Sequence, residues 1–168
     1  MTKKCLFWSD LKVEFKKRMV AKFQEQNCNL TLKEALEEFY LVNTHLFKKP
    51  KPETSWSELL VHHDVSHVFF GVNTSLEEET AGDLWSFFAT DLTFKDYKEY
   101  FKAPEAKQLF KEIGVWNTFR ALLMLPLLSF RVLLQSFRMK KKWKFRGYKK
   151  YLDTPLCEIR KEYHLNIL

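Results

Sequence analysis

Residues 55–90 read SWSELLVHHDVSHVFFGVNTSLEEETAGDLWSFFAT. Two runs of mixed apolar and polar residues flank the short break Gly71-Val72-Asn73-Thr74. Each run opens on a serine followed three residues later by a glutamate, Ser55 with Glu58 and Ser75 with Glu78. In such a capping box the hydroxyl accepts the third amide of the helix, and the carboxylate accepts back from the amide of the capping residue. The spacing predicts two consecutive helices, at about 56–70 and 76–90. A link this short makes them antiparallel neighbours.

The same signals recur outward from this stretch. Leu11, Phe15, Met19 and Phe23 stand four apart after Ser9, which predicts an amphipathic helix over 9–26. Thr31 with Glu34 opens a helix reaching about Leu46, and KKPKPETS, residues 48–55, is a proline-punctuated loop. A long helix is expected from Val115 to Lys142, kinked at Pro126. Thr154-Pro155 reads as an N-cap and first-turn pair for a short last helix. With no strand alternation and no internal repeat, the fold class is all-α. Residues 1–168 are expected to form one domain, a compact bundle of about seven helices with a metal site between two antiparallel ones.

Composition removes several function classes. The four glycines, at 71, 82, 114 and 147, cannot form a GxGxxG or GxxxxGK[ST] loop, so nucleotide-cradling motifs are excluded. Cys5, Cys28 and Cys157 are scattered, which argues against a disulfide framework or a thiolate zinc site. Asp10 and Glu14 interrupt any signal-like apolar run. The apolar stretch Ala121–Leu134 is shorter than the roughly 20 residues a bilayer span needs. A cytoplasmic protein, peripheral on a membrane, is therefore expected. Residues 138–150, RMKKKWKFRGYKK, hold eight Lys or Arg and no acid, so the net charge of +7 belongs to this segment. Preceded by the apolar run, it suits an anionic membrane surface, with Trp143, Phe145 and Tyr148 at the interface. Nucleic acid is the less favoured partner.

The chemistry concentrates in His62-His63-Asp64-Val65-Ser66-His67. On a helix His63 and His67 lie about 40° apart, and Asp64 about 60° from His67. They share an arc with Trp56, Leu59, Leu60 and Phe70, so the imidazoles point inward and need a partner. Two imidazoles and a carboxylate within one turn make a ligand face, as on the HExxH helices of metalloproteases. A further carboxylate is expected from Glu77-Glu78-Glu79. Glu78 is committed to its cap, and the helical wheel leaves Glu77 and Glu79 open. A hydrogen-bonded core network without metal satisfies the same pattern. Asp83, one turn on, is either solvated or an outer support of the site.

The pattern HDxxH, eleven residues, then Glu79 resembles the signature of the coenzyme Q biosynthesis protein 4 family. HVFFGVNT, residues 67–74, is similar to a stretch of that family, and PLCEIRKE, residues 155–162, to its closing motif. Leu59-Leu60-Val61-His62 and Glu78 depart from its basic, aromatic and small residues. The resemblance implies an all-helical fold and a divalent cation held by His63, Asp64, His67 and Glu79. Zinc is favoured, and the donor set also suits iron, manganese, cobalt or magnesium. It implies a prenylated lipid or quinone precursor as ligand, with other quinone-biosynthesis proteins or a second copy as partners. The implied reaction is oxidative removal of the C1 carboxylate from a polyprenylated hydroxybenzoate, a lyase chemistry of ubiquinone biosynthesis. The alternative is a non-catalytic prenyl-lipid-binding or scaffold protein. An apolar groove is expected to run from the metal site toward residues 121–134.

Overall fold

A computed structural model describes residues 21–44, 55–102 and 104–168, with side chains over 21–44, 60–98 and 114–168. Among the described residues there are six α-helices and no strand. They are α1 (Leu32–Val42), α2 (Ser55–Phe70), α3 (Leu76–Ala89), α4 (Phe94–Lys102), α5 (Pro104–Arg138) and α6 (Leu156–Tyr163), with 3₁₀ turns at Lys22–Gln24 and Tyr148–Tyr151. The all-α class holds.

Several boundaries differ from expectation, each for a local reason. Most of the helix expected over 9–26 lies outside the described residues. Its last part is only the turn Lys22–Gln24, after which Glu25 is extended. There the Glu38 carboxylate accepts from the amides of Lys22 and Phe23, and Arg160 donates to the carbonyls of Phe23 and Glu25. Side chains thus satisfy a backbone that a helix would otherwise satisfy itself. Helix α1 begins at the Thr31/Glu34 capping box as predicted but stops at Val42. The buried Asn43 ends it by turning its amide onto Phe39 O and Asn73 Oδ1, while its own oxygen accepts from Thr74 Oγ1. That one side chain ties the end of α1 to the link between α2 and α3.

Helix α2 is the centre of the molecule. His62 and every residue from Asp64 to Phe70 are buried, so it has no single core stripe. Phe69 stacks on Trp143 with ring centroids 4.1 Å apart, and Phe70 on Trp85 at 4.8 Å. The first contact corrects the reading of Trp143 and Phe145 as interfacial, because both are buried. Trp143 N donates to Ala89 O and Phe145 N to Asp91 Oδ1, holding this piece of the basic segment extended beside the end of α3. Trp143 and Phe145 point inward, while Lys142, Lys144 and Arg146 stay exposed.

Helix α5 breaks at Gly114 (φ 74°, ψ 161°), just before the expected start at Val115; Pro126 lies inside it, and it ends at Arg138 rather than Lys142. Its part from Gly114 to Arg138 is 25 residues long and, by length and composition, apolar enough to cross a membrane, longer than the apolar stretch Ala121–Leu134 within it. Helix α6 starts at Leu156, with Pro155 at the N-cap and no side-chain cap from Thr154. The amides of Leu156 and Cys157 instead bond to the carbonyls of Leu30 and Cys28. Neighbouring backbone does the work of a cap.

Candidate metal centre

His63 and His67 stand one turn apart on α2 with ring centroids 4.6 Å apart. Glu79 comes from the first turn of α3. One ligand atom from each of the three lies within 4.8 Å of the others, so the group could hold a metal ion.

The backbone orients His67. Gly71, at φ +69°, turns the chain back, and Val72 N bonds to His67 O. Val72 O is thereby placed 3.3 Å from His67 Nδ1. A carbonyl only accepts, so this contact calls for a proton on Nδ1, and Nε2 then holds either a lone pair or a second proton. Nε2 is buried, makes no hydrogen bond, and faces Glu79 Oε2 at 3.4 Å. A lone pair opposite a carboxylate in a buried place calls for a cation or a further proton between them. Gly82 permits the approach of α3. A Cβ there would meet His67 Cε1 at 3.3 Å and Val72 Cγ2 at 3.4 Å.

The electrostatics point the same way. Burial disfavours the His63 imidazolium, yet the carboxylates of Asp64, Glu79 and Asp83 outweigh it and push the pKa up to about 9. Burial pushes Glu79 up, and His67 with His63 bring it below its ordinary value. Burial holds the Asp83 carboxyl above its ordinary value. His63 is half-buried, while Asp83 is exposed at the mouth of a cleft, so solvent screens the Asp83 charge more than that of His63. The site carries more negative charge than its two imidazoles neutralise unless they are protonated or metal-bound.

The other sequence candidates separate cleanly. Asp64 is 2% exposed. Its Oδ2 accepts from Tyr40 Oη at 3.0 Å, and its Oδ1 lies 3.8 Å from His63 Nδ1. It therefore stands beside His63, outside the group of three. Glu77 pairs with Arg120 at 3.1 Å, so its carboxylate is drawn toward α5. Ser75 Oγ caps α3 by accepting from Glu78 N, while the Glu78 carboxylate accepts from Ser75 Oγ, Asn73 N and Gln24 Nε2. His62 packs on the rings of Phe145 and Tyr148.

Beside His63 lies a small cleft open to solvent, lined also by Asp83, Ser86, Leu92, Tyr97 and Phe145 among others. None of its lining residues falls in 121–134. The Tyr97 hydroxyl is buried without a hydrogen-bond partner among the described residues. Sequence reading missed Gly82, Tyr40, Tyr97 and the Val72 carbonyl. Of these only Gly82, a helix-interior glycine in a glycine-poor chain, carried a signal.

Compared with protein-family models, with curated proteins and with solved structures, the chain matches none.

Proposed function

We propose that this chain is a metal-binding protein of the ubiquinone-biosynthesis type, which holds a polyprenylated ring precursor beside its cation. His63, His67 and Glu79 would ligate a divalent ion, zinc by preference, with Asp64 joining directly or steadying His63. The observation that carries the reading is His67. Its Nδ1 is committed to a backbone carbonyl, so its buried Nε2 is left facing Glu79 without a hydrogen bond. A ligating histidine is commonly oriented in this way by a bond from its second nitrogen. The HDxxH pattern followed by eleven residues and then Glu79 supports the choice of protein type.

When bound, the cation supplies Lewis acidity that holds and polarises a carboxylate or phenolate on the ring. Leu92 and Phe145 give the cleft apolar walls against an aromatic face. The unpartnered Tyr97 hydroxyl is available to donate to a ring substituent. The reaction that fits this reading is oxidative removal of the C1 carboxylate as carbon dioxide, with dioxygen as the co-substrate that takes the electrons, since zinc transfers none. One observation favours a second reading, a non-catalytic binding or scaffold role. Asp64 is spent on Tyr40, and Asp96 is spent on Thr93 and Arg146. Asp83 is left as the carboxyl in the cleft able to move a proton.

Elemental analysis of the purified protein, beside mass spectrometry of its extracted lipids, tests the proposal. Wild type and Glu77→Ala should carry about one cation per chain, and His67→Ala and Glu79→Ala should carry none. A folded wild type that binds no divalent ion on titration would leave only the hydrogen-bonded network. Retained metal without any prenylated aromatic would remove the quinone part of the reading.

A further inference from the structure

Helix α5 is apolar on two opposite faces, and among the described residues only one of them is covered. Ala121, Met124, Leu125, Leu128, Ser129 and Val132, spaced three or four apart, are partly or fully buried on the side that packs on α3. On the other side Trp116, Phe119, Leu123, Leu127, Phe130 and Phe137 are 49–78% exposed. They form a stripe that runs over 22 residues, about 32 Å from end to end at the rise of an α-helix. An exposed apolar surface of this extent marks an interaction site.

Charge selects the occupant. No acidic residue occurs from Gly114 to Arg138 or onward to Lys150. Directly past the stripe, Arg138, Lys140, Lys142 and Lys144 are exposed. A second copy docking through the same face would bring no carboxylate to meet these cations. A bilayer containing anionic lipid offers hydrocarbon to the stripe and phosphate to its basic end. Packing selects the orientation. Helix α3 lies along the inner face of α5, and its Glu77 holds Arg120. A transverse α5 would drag Glu77, Glu79 and Asp83 toward the hydrocarbon at high cost. An α5 lying in the membrane plane keeps them on the aqueous side, and Arg131 reaches the headgroups along its stem.

We infer that the outer face of α5 docks in the plane of an anionic membrane, with the Trp116–Phe137 stripe immersed and the Arg138–Lys144 cations on lipid phosphates. The surface is independent of the cation reading, since no metal ligand belongs to it. It corrects the expected membrane contact. The aromatics of 143–145 are core, and those that meet lipid lie on α5.

Flotation of the full chain with vesicles of phosphatidylcholine, with and without phosphatidylglycerol, tests this. Wild type should float with anionic vesicles at low salt and bind neutral ones more weakly. Leu123→Asp with Phe130→Asp should abolish flotation while circular dichroism stays that of wild type. Reversal of Lys140, Lys142 and Lys144 to Glu should weaken anionic binding about tenfold or more and leave the neutral-vesicle signal unchanged. A wild type that ignores both vesicles overturns the inference. So does a dimer that the Asp pair dissociates, which would assign the face to a second copy. Bound protein that resists alkaline carbonate extraction would mean that α5 spans the bilayer, and would overturn the in-plane orientation.

Discussion

Replacing Arg160 by methionine should destabilise the protein by about 4 kcal/mol. The side chain is fully buried, and it reaches four carbonyls. Nε donates to Phe69 O at 2.9 Å, Nη1 to Glu25 O at 2.6 Å, and Nη2 to Phe23 O at 2.6 Å and Val68 O at 2.8 Å. Two of these carbonyls belong to the last turn of α2, the negative end of its dipole. Burial lowers the guanidinium pKa to about 10, so it stays cationic at neutral pH. Val68 O and Glu25 O keep second donors in the amides of Gly71 and Cys28. Phe23 O and Phe69 O would be left without a donor, at roughly 2 kcal/mol each, and the two weakened carbonyls would lose about 1 kcal/mol each. Relief from desolvating the guanidinium offsets part of that sum, and the lost packing of its stem adds back. For a chain of this size about 4 kcal/mol lowers the thermal midpoint by roughly 8–16 °C. Arg160→Lys, a single point donor in place of a fork, should recover no more than half. Thermal unfolding followed by circular dichroism measures both. An Arg160→Met protein within about 1 kcal/mol of wild type would refute the reasoning.

Gly82→Ala gains about 1 kcal/mol of helix propensity but crowds the His67 ring, so stability should hold while cation affinity falls; equal affinity by calorimetric titration refutes the close-approach argument. Tyr40→Phe removes a donor from the buried Asp64 carboxylate and should cost about 1–2 kcal/mol, read from urea midpoints. In metal-free protein His63 has its pKa raised from 6.5 to about 9, so its contribution to stability is full below 6.5 and lost as pH rises through about 9. A melting temperature that is flat across that window, or unchanged by His63→Gln, would count against it. Asp96 is held down to about 2, chiefly by the Thr93 hydroxyl and amide and also by Arg146. Its contribution is present above 3.8 and lost as pH falls through about 2, and an NMR titration of the carboxyl checks this.

The helices around the site were readable because their start signals are local. Ser75 with Glu78 and Thr31 with Glu34 close their caps within four residues, whatever the rest of the chain does. The stops were less readable, because distant groups set them. Asn43 ends α1 by bonding Asn73 and Thr74, some thirty residues on, and Arg160 holds residues 23–25 out of helix from the other end of the chain. The candidate ligands follow the same division. His63 and His67 are four apart on one helix, so geometry alone pairs them. The choice of Glu79 over Glu77 depends on Arg120, forty-three residues from Glu77, which draws that carboxylate to α5.

The misreading of residues 142–146 shows where composition misleads and periodicity would have served. Eight cations in thirteen residues suggest a solvated or membrane-facing segment, yet Lys142-Trp143-Lys144-Phe145-Arg146 alternates strictly between charged and aromatic. Alternation of period two in an extended chain puts the aromatics on one side and the cations on the other. That is what the pairing beside Thr90 produces: Trp143 reaches Phe69, and the lysines stay in water. Helix α5 is the converse case. Leucines on nearly all sides leave no contrast for a helical period to detect, so the sequence cannot say which face the protein covers. Only the packing of α3 divides it, and that division leaves the stripe from Trp116 to Phe137 uncovered beside a basic segment whose own aromatics are already spent on the core.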